Sequence, residues 1–193
     1  MEIIAHRINK VEDLRPLGTD VGIEIDLRAN GDKTEDIYCQ HEPFDGGELF
    51  ENILAEYQKK NMTGTVILDI KNERIELKCI ELLKKYGVKN YFFLDCSFPM
   101  IYKLTSMNEK NVAVRFSEYE GLDTVVSMAR KCKWVWVDTF TKNPLTKEIA
   151  DKIHFLGYKI CFVSPELQGQ PELKEQYMNM VKDYVDAICT DIE

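Results

Sequence analysis

The sequence lacks the features that would place it in several well-known classes of protein. No apolar run approaches the roughly 20 residues that a transmembrane helix needs, so we expect no integral membrane segment. The N-terminus, MEIIAHRINK, has no basic segment followed by a long apolar one, so we expect no signal peptide and a cytoplasmic location. There is no GxGxxG, Walker or GxSxG motif to indicate dinucleotide, P-loop or serine-hydrolase chemistry.

Basic residues are outnumbered by acidic ones, 25 to 33, and the sequence has no closely spaced pair of cysteines. The net charge of −8 argues against a generic nucleic-acid-binding surface. The six cysteines contain no CxxC and are widely spaced, and without export we expect neither disulfides nor a zinc site. They are Cys39, Cys79, Cys96, Cys132, Cys161 and Cys189.

What is present is typical of one soluble globular domain. The 193 residues are 45% hydrophobic and 30% charged, enough for a sizeable single core. We find no linker, repeat or low-complexity segment, so we predict one domain over residues 1–193. Its oligomeric state is left open.

Apolar strand patterns alternate with helical patterns along most of the chain. The predicted strands cover residues 2–5, 21–28, 65–71, 90–95, 111–116, 133–138, 158–163 and 185–190, and residues 36–41 form a short hairpin arm. Eight strands, most of them followed by a helix, predict an α/β fold of the compact (β/α)8 TIM-barrel type. A doubly wound open sheet is the alternative.

Residues 21–28 (VGIEIDLR) place three charged groups in an otherwise apolar strand. Glu24, Asp26 and Arg28 are two apart, so their side chains share one face. Two neighbouring carboxylates repel each other, and burying them is costly without a cation between them. This stretch therefore predicts a charged site.

Polar residues at the ends of other predicted strands extend this site. Asp69 and Lys71 end the strand at 65–71, and the carboxyl ends of barrel strands converge on the face where active sites are built. Glu24, Asp26 and Asp69 would supply the oxygen ligands that suit Mg²⁺, or Ca²⁺ as the second choice. Ion pairing of these acids with Arg28 and Lys71 is the alternative interpretation.

Cationic and imidazole side chains supply the remaining parts of a phosphate-directed site. Guanidinium and ammonium groups match phosphoryl oxygens, and we predict four of them as phosphate ligands. These are Arg7, Arg28, Lys71 and Arg115. His6 and His41 bracket the two acids and could divide the nucleophile and general acid–base roles.

Four motifs resemble the glycerophosphodiester phosphodiesterase and phospholipase C-like phosphodiesterase superfamily. They are IAHR at 4–7, EID at 24–26, QHEPF at 40–44 and DAICTD at 186–191. The resemblance implies a (β/α)8 barrel that cleaves phosphodiesters with a divalent cation held by Glu24 and Asp26 and with His6 and His41 as catalytic residues. Asp69-Ile70-Lys71 looks like the sphingomyelinase D-like branch, which implies Asp69 as the third ligand of Mg²⁺.

The leading hypothesis is a metal-dependent phosphodiesterase for a small polar phosphodiester. A glycerophosphodiester is one candidate. A surface-polysaccharide precursor is another, because the SPELQG segment at 164–169 resembles domains associated with bacterial surface-polysaccharide clusters. Attack by water would give hydrolysis, and attack by a substrate hydroxyl would give a cyclic phosphate.

Two other hypotheses remain. Ile8 stands where the family has glycine and the family's Pro-Glu-Asn-Thr segment is absent, as expected of an inactive phosphate-binding or scaffold domain. The third is a lyase or aldolase that uses Lys71 as a Schiff-base nucleophile.

Overall fold

The computed structural model describes residues 1–30, 33–43 and 46–192. The chain divides into two compact units. We call Ala5–Ser97 the N-terminal unit, and Met1–Ile4 together with Phe98–Glu193 the C-terminal unit. That residues 1–193 form one domain stays a prediction.

The N-terminal unit holds most of its strands and helices in alternation. Its elements are α1 (Val11–Leu14), β2 (Gly22–Asn30), β3 (Lys33–Cys39), β4 (Glu48–Leu49), α2 (Phe50–Lys59), β5 (Val66–Ile70), α3 (Glu76–Lys85) and β6 (Tyr91–Leu94). Strand β1 (Glu2–Ala5) comes before these elements, and its last residue, Ala5, is the first residue of the N-terminal unit.

Strand β2 is the centre of the N-terminal sheet. It pairs in parallel with β5, which pairs in parallel with β6, and it pairs antiparallel with β3. The β2–β5 register sets Asp26 directly opposite Asp69. Ile23, Ile25 and Leu27 are fully buried, so apolar packing on one face of β2 determines which way its acids point.

The C-terminal unit repeats the same alternation. Its elements are α4 (Phe98–Ser106), β7 (Ala113–Phe116), α5 (Leu122–Ser127), β8 (Trp134–Val137), α6 (Lys147–Phe155), β9 (Lys159–Val163), two 3₁₀ turns (Pro165–Gln168 and Pro171–Leu173), α7 (Lys174–Val181) and β10 (Ala187–Thr190). Strands β7, β8, β9 and β10 pair in parallel in that order. The Glu2 backbone N–H of β1 donates to the Asp186 carbonyl just before β10.

All eight predicted main strands are present, which confirms the alternation read from the sequence. The hairpin arm predicted at 36–41 is β3, which begins earlier, at Lys33, and ends at Cys39. The short strand β4 was not predicted because two residues carry no periodic pattern. No helix in the described ranges has the length and hydropathy needed to cross a bilayer.

Candidate active site

Three buried carboxyl groups meet in the first half and at the centre of β2 and at the paired position of β5. Glu24 and Asp26 share a face of β2 and Asp69 lies on β5, and each contributes an oxygen within 4.8 Å of the others. Only 2%, 1% and 8% of these residues' surfaces are exposed, respectively. Because like charges this close repel in a poorly solvated site, the three groups can all be ionised only if positive charge lies beside them.

Lys71 supplies part of that positive charge. Its ammonium Nζ lies 2.6 Å from Asp69 Oδ2 and 3.1 Å from Asp26 Oδ1. Burial alone would lower the pKa of Lys71, but Asp69 and Asp26 outweigh it and raise the pKa. The Lys71 ammonium alone does not balance three ionised carboxyl groups.

Two carboxylate oxygens of the cluster mark where a further cation fits. Glu24 Oε1 and Asp69 Oδ1 are buried and accept no hydrogen bond from any described residue. Burial and the neighbouring Asp26 raise the pKa of Glu24, and burial and Asp95 raise that of Asp69 to about 6. Buried polar oxygens without donors are rare in folded proteins, and carboxylate oxygens are the ligands that Mg²⁺ and Ca²⁺ prefer. The carboxylate oxygens of this cluster therefore fit a divalent cation.

The segment after β1 brings His6 and Arg7 to the cluster. His6 Nε2 lies 3.8 Å from Glu24 Oε2, and the Arg7 backbone N–H donates to the same oxygen over 2.8 Å. Arg7 adopts a φ of +53°, a conformation that non-glycine residues rarely hold and that is concentrated at functional sites. The Arg7 guanidinium is half-exposed, with Nε 3.9 Å from Asp26 Oδ2.

His41 lies just beyond β3 and is oriented by its neighbour. Its Nδ1 lies 2.7 Å from Glu42 Oε1. Because a carboxylate can only accept, this contact favours the tautomer with the proton on Nδ1, which leaves Nε2 as the nitrogen for proton transfer. Phe44, the last residue of the QHEPF motif, lies outside the described residues.

Arg28 has backbone partners. Its Nε and Nη2 donate to the His41 carbonyl over 3.0 and 2.8 Å, and its Nη1 donates to the Lys71 carbonyl over 3.3 Å. One guanidinium thus ties the residue after β3 to the residue after β5. These contacts hold the two segments in place, and phosphate binding by Arg28 stays a prediction.

Arg115 belongs to the C-terminal unit. Its Nη2 lies 2.6 Å from Asp138 Oδ2 and its Nε lies 3.4 Å from Glu120 Oε1. The N-terminal unit therefore brings together the three predicted ligands with His6, Arg7 and Lys71, whereas Arg115 is engaged with acids of its own unit.

Asn9 is a site residue that the sequence did not indicate. Its Nδ2 donates to Asp26 Oδ2 over 2.7 Å, and its Oδ1 accepts from the Asp26 backbone N–H over 2.9 Å. It lies in an irregular segment after β1, where no periodicity predicts the direction of a side chain. Its closeness in sequence to His6 was the one available signal.

Comparison with known proteins supports the fold assignment. No protein-family model and no curated protein matches the chain. Among solved structures, a candidate glycerophosphodiester phosphodiesterase from Galdieria sulphuraria has a TM-score of 0.74 at 19% identity, covering 98% of this chain and 93% of its own. An Oleispira antarctica phosphodiesterase, solved with its product sn-glycerol-3-phosphate, has a TM-score of 0.71 at 14% identity, with 98% and 92% covered.

A third similar structure is a glycerophosphodiester phosphodiesterase from Agrobacterium tumefaciens. Its TM-score is 0.64 at 14% identity, over 98% of this chain and 96% of that one. These likenesses extend over nearly the whole length of both chains, although few residues are identical. They confirm the predicted α/β barrel fold class: this chain shares the fold of the glycerophosphodiester phosphodiesterases.

Proposed function

We propose that this protein is a cation-dependent phosphodiesterase, a phosphoric diester hydrolase or cyclising enzyme, that acts on a small polar phosphodiester. The observation that carries the proposal is the buried Glu24, Asp26 and Asp69 cluster, in which two oxygens face no donor. The fold that it shares with glycerophosphodiester phosphodiesterases supports the same reaction class.

Glu24, Asp26 and Asp69 would hold the cation, most simply Mg²⁺, with Ca²⁺ as the alternative. When bound, a divalent cation neutralises charge on a phosphoryl oxygen as the transition state forms. The carboxylates position it, and their burial strengthens each electrostatic contact by excluding water. No activity is expected without a divalent cation.

Lys71 and Arg7 are proposed to bind the phosphate oxygens. Both lie against the carboxylate cluster with cationic groups that remain partly accessible to solvent. A guanidinium and an ammonium together can stabilise the extra negative charge of a five-coordinate phosphorus transition state. Arg28 is proposed to hold the His41 and Lys71 segments, and Arg115, predicted as a fourth phosphate ligand, stays an untested candidate.

His6 and His41 are proposed to divide the nucleophile and general acid–base roles. One imidazole accepts the proton of the attacking water or hydroxyl, and the other donates a proton to the departing alkoxide oxygen. Alternatively one imidazole attacks phosphorus as the alkoxide leaves, and water or a substrate hydroxyl then breaks the P–N bond. The contact of Glu42 with His41 Nδ1 presents His41 Nε2 as the working nitrogen. Water as the attacking group gives a phosphomonoester and an alcohol, whereas a hydroxyl of the substrate gives a cyclic phosphate and an alcohol.

A glycerol-linked phosphodiester is the proposed first substrate to test. The Oleispira protein of the same fold was solved with sn-glycerol-3-phosphate as its product. A precursor of surface polysaccharide is a second candidate, and a cytoplasmic location would suit either one. The net charge of −8 supports a small-molecule substrate over nucleic acid.

The test is a panel of glycerophosphodiesters assayed with Mg²⁺, Ca²⁺ and excess chelator. Cation-dependent release of phosphomonoester or cyclic phosphate that His6→Ala and His41→Ala abolish would support the proposal. Activity that survives both substitutions would overturn the catalytic assignment. Phosphoester binding without turnover under any cation would instead identify the inactive phosphate-binding domain, which the replacement of the family glycine by Ile8 first suggested.

A further inference from the structure

The segment from Arg7 to Asn9 holds both acids of β2 by the same means. The Arg7 backbone N–H donates to Glu24 Oε2, and the Asn9 side-chain Nδ2 donates to Asp26 Oδ2. The Ile8 backbone N–H, between them, donates to the Glu24 carbonyl over 2.8 Å. One short stretch of chain therefore fixes two neighbouring carboxyl groups.

Each carboxyl group is held by one oxygen, which leaves its other oxygen without that restraint. Glu24 Oε2 is engaged by the segment after β1 and Oε1 has no donor among the described residues. Asp26 Oδ2 is engaged by Asn9, and Oδ1 lies 3.1 Å from the Lys71 ammonium. A carboxylate fixed at one oxygen loses rotational freedom before a cation binds.

Asn9 fixes the backbone of Asp26 as well as its side chain. The Asn9 Oδ1 accepts from the Asp26 N–H, and the Asp26 carbonyl accepts from the Gln40 N–H over 2.9 Å. With backbone and side chain both engaged, Asp26 presents Oδ1 in one direction. Partners of this kind around metal ligands are commonly worth 10- to 100-fold in metal affinity.

We propose that Asn9 is a positioning residue of the cation site: its two-way hydrogen bond with Asp26 sets the carboxylate to receive the cation. This inference rests on the proposed function, because it assumes that the cluster binds a divalent cation. It adds a residue that the family resemblance did not supply.

The chain offers a matched control in Asn72. Its Oδ1 accepts from the Ala29 backbone N–H over 2.9 Å, so it also fastens β2, yet none of its described contacts is with the carboxylates. Asn9→Ala and Asn72→Ala each remove an asparagine-to-β2 hydrogen bond. Only Asn9→Ala also removes a donor to a carboxylate ligand. Asn9→Leu is a second variant of nearly the same size, in case the smaller alanine side chain prevents folding.

The experiment measures binding of Mn²⁺ alone, a hard cation that can be followed by the electron paramagnetic resonance signal of the free ion. Thermal unfolding of each variant without cation is measured in parallel. We expect Asn9→Ala and Asn9→Leu to bind Mn²⁺ about 10- to 100-fold more weakly than wild type. Asn72→Ala should stay within about threefold, even if it lowers the melting temperature as much.

A kinetic readout separates positioning from general damage. If turnover is found, the Mn²⁺ concentration for half-maximal activity should rise in Asn9→Ala, while kcat at saturating Mn²⁺ should recover most of the wild-type value. Wild-type affinity in both Asn9 variants, or an equal loss in Asn72→Ala, would overturn the inference and leave the proposed function standing. Failure of the wild-type protein to bind Mn²⁺ would instead overturn the cation site on which both depend.

Discussion

The two compact units both bury acids on or directly after strands of their sheets, but the hydrogen-bond partners of these acids differ. In the C-terminal unit, Asp138 accepts from the Trp136 Nε1, the Gln168 Nε2 and the Arg115 Nη2. In the N-terminal unit, Glu24 and Asp69 each keep a buried oxygen that accepts from no described residue. Both oxygens of the Asp138 carboxylate accept hydrogen bonds, whereas the Glu24, Asp26 and Asp69 cluster keeps two buried oxygens without a described donor.

Glu166 makes the same point within the C-terminal unit. Its carboxylate accepts from the Ser164 and Thr190 hydroxyls and lies 3.1 Å from the Lys174 ammonium. Although burial opposes ionisation, these hydrogen bonds lower the pKa of Glu166, whereas burial and neighbouring acids raise the pKa of Glu24. Burial of an acid alone therefore does not identify a functional site. Several neighbouring acids that share too few donors are the better indicator.

The largest expected effect is the difference in kcat/KM loss between substitutions of histidines in the two units. His6→Ala or His41→Ala should lower kcat/KM by about 100- to 10,000-fold, the usual range for loss of a general acid or base. His154→Ala is the control: His154 lies in α6 of the C-terminal unit with its Nε2 3.0 Å from Asp186 Oδ2. It should leave kcat/KM within about twofold. Steady-state kinetics on the best substrate of the panel decides, and equal losses at all three positions would contradict the assignment.

Removing a lysine should harm the two units unequally. Lys71→Met takes the ammonium away from three buried carboxyl groups, so we expect the cation-free protein to lose about 3 kcal/mol of unfolding free energy. Mg²⁺ should restore part of that loss. Lys174→Met should cost about 1 kcal/mol or less, because Glu166 keeps two hydroxyl donors and the lysine is partly exposed. Urea unfolding with and without Mg²⁺ measures both, and equal losses would remove the distinction between the units.

Replacing one acid by its amide should sharpen the comparison further. Asp138→Asn faces three donors with one acceptor oxygen, so at least one donor loses its partner, at about 2 kcal/mol. Asp69→Asn can turn its oxygen to Lys71 and its NH₂ toward the other two acids. We expect no loss of cation-free stability from Asp69→Asn. Chemical denaturation at pH 8 in chelator tests this, and greater destabilisation by Asp69→Asn would argue that Asp69 is structural.

The smallest expected effect is a pH dependence. Since the folded pKa of Asp69, about 6, lies above its ordinary value of 3.8, the folded state binds the proton more tightly. This group therefore adds stability as pH falls through 6 and loses it as pH rises, by about 1 kcal/mol between pH 7 and 5. The difference in unfolding free energy between wild type and Asp69→Asn, measured without cation at each pH, isolates the contribution of Asp69. A difference that is constant over this interval would show that Asp69 does not titrate there.

Periodicity explains which parts of the site could be predicted. Glu24 and Asp26 interrupt an apolar strand at a spacing of two, and parallel pairing then sets Asp69 opposite Asp26. The alternation of strands and helices likewise predicted the fold class. These features follow from local pattern and from the direction in which parallel strands run.

The partners of these residues could not be predicted in the same way. The pattern places Arg28 on the face of the two acids, yet its side chain reaches two backbone carbonyls. Asn9 acts from an irregular segment, and polar strand ends such as Asp138 look like a site until their donors are seen. The hydrogen-bond partners of a buried polar side chain come from residues distant in sequence, so the pattern of residues along the chain does not predict them.

The most direct test of the central claim is calorimetric titration of Mg²⁺ into the wild-type protein, Asp69→Asn and Asp138→Asn. The incompletely neutralised cluster predicts one Mg²⁺ per wild-type chain, at least about 100-fold weaker binding in Asp69→Asn, and unchanged binding in Asp138→Asn. Identical titrations of all three proteins, or no binding by the wild type, would contradict a cation site at Glu24, Asp26 and Asp69.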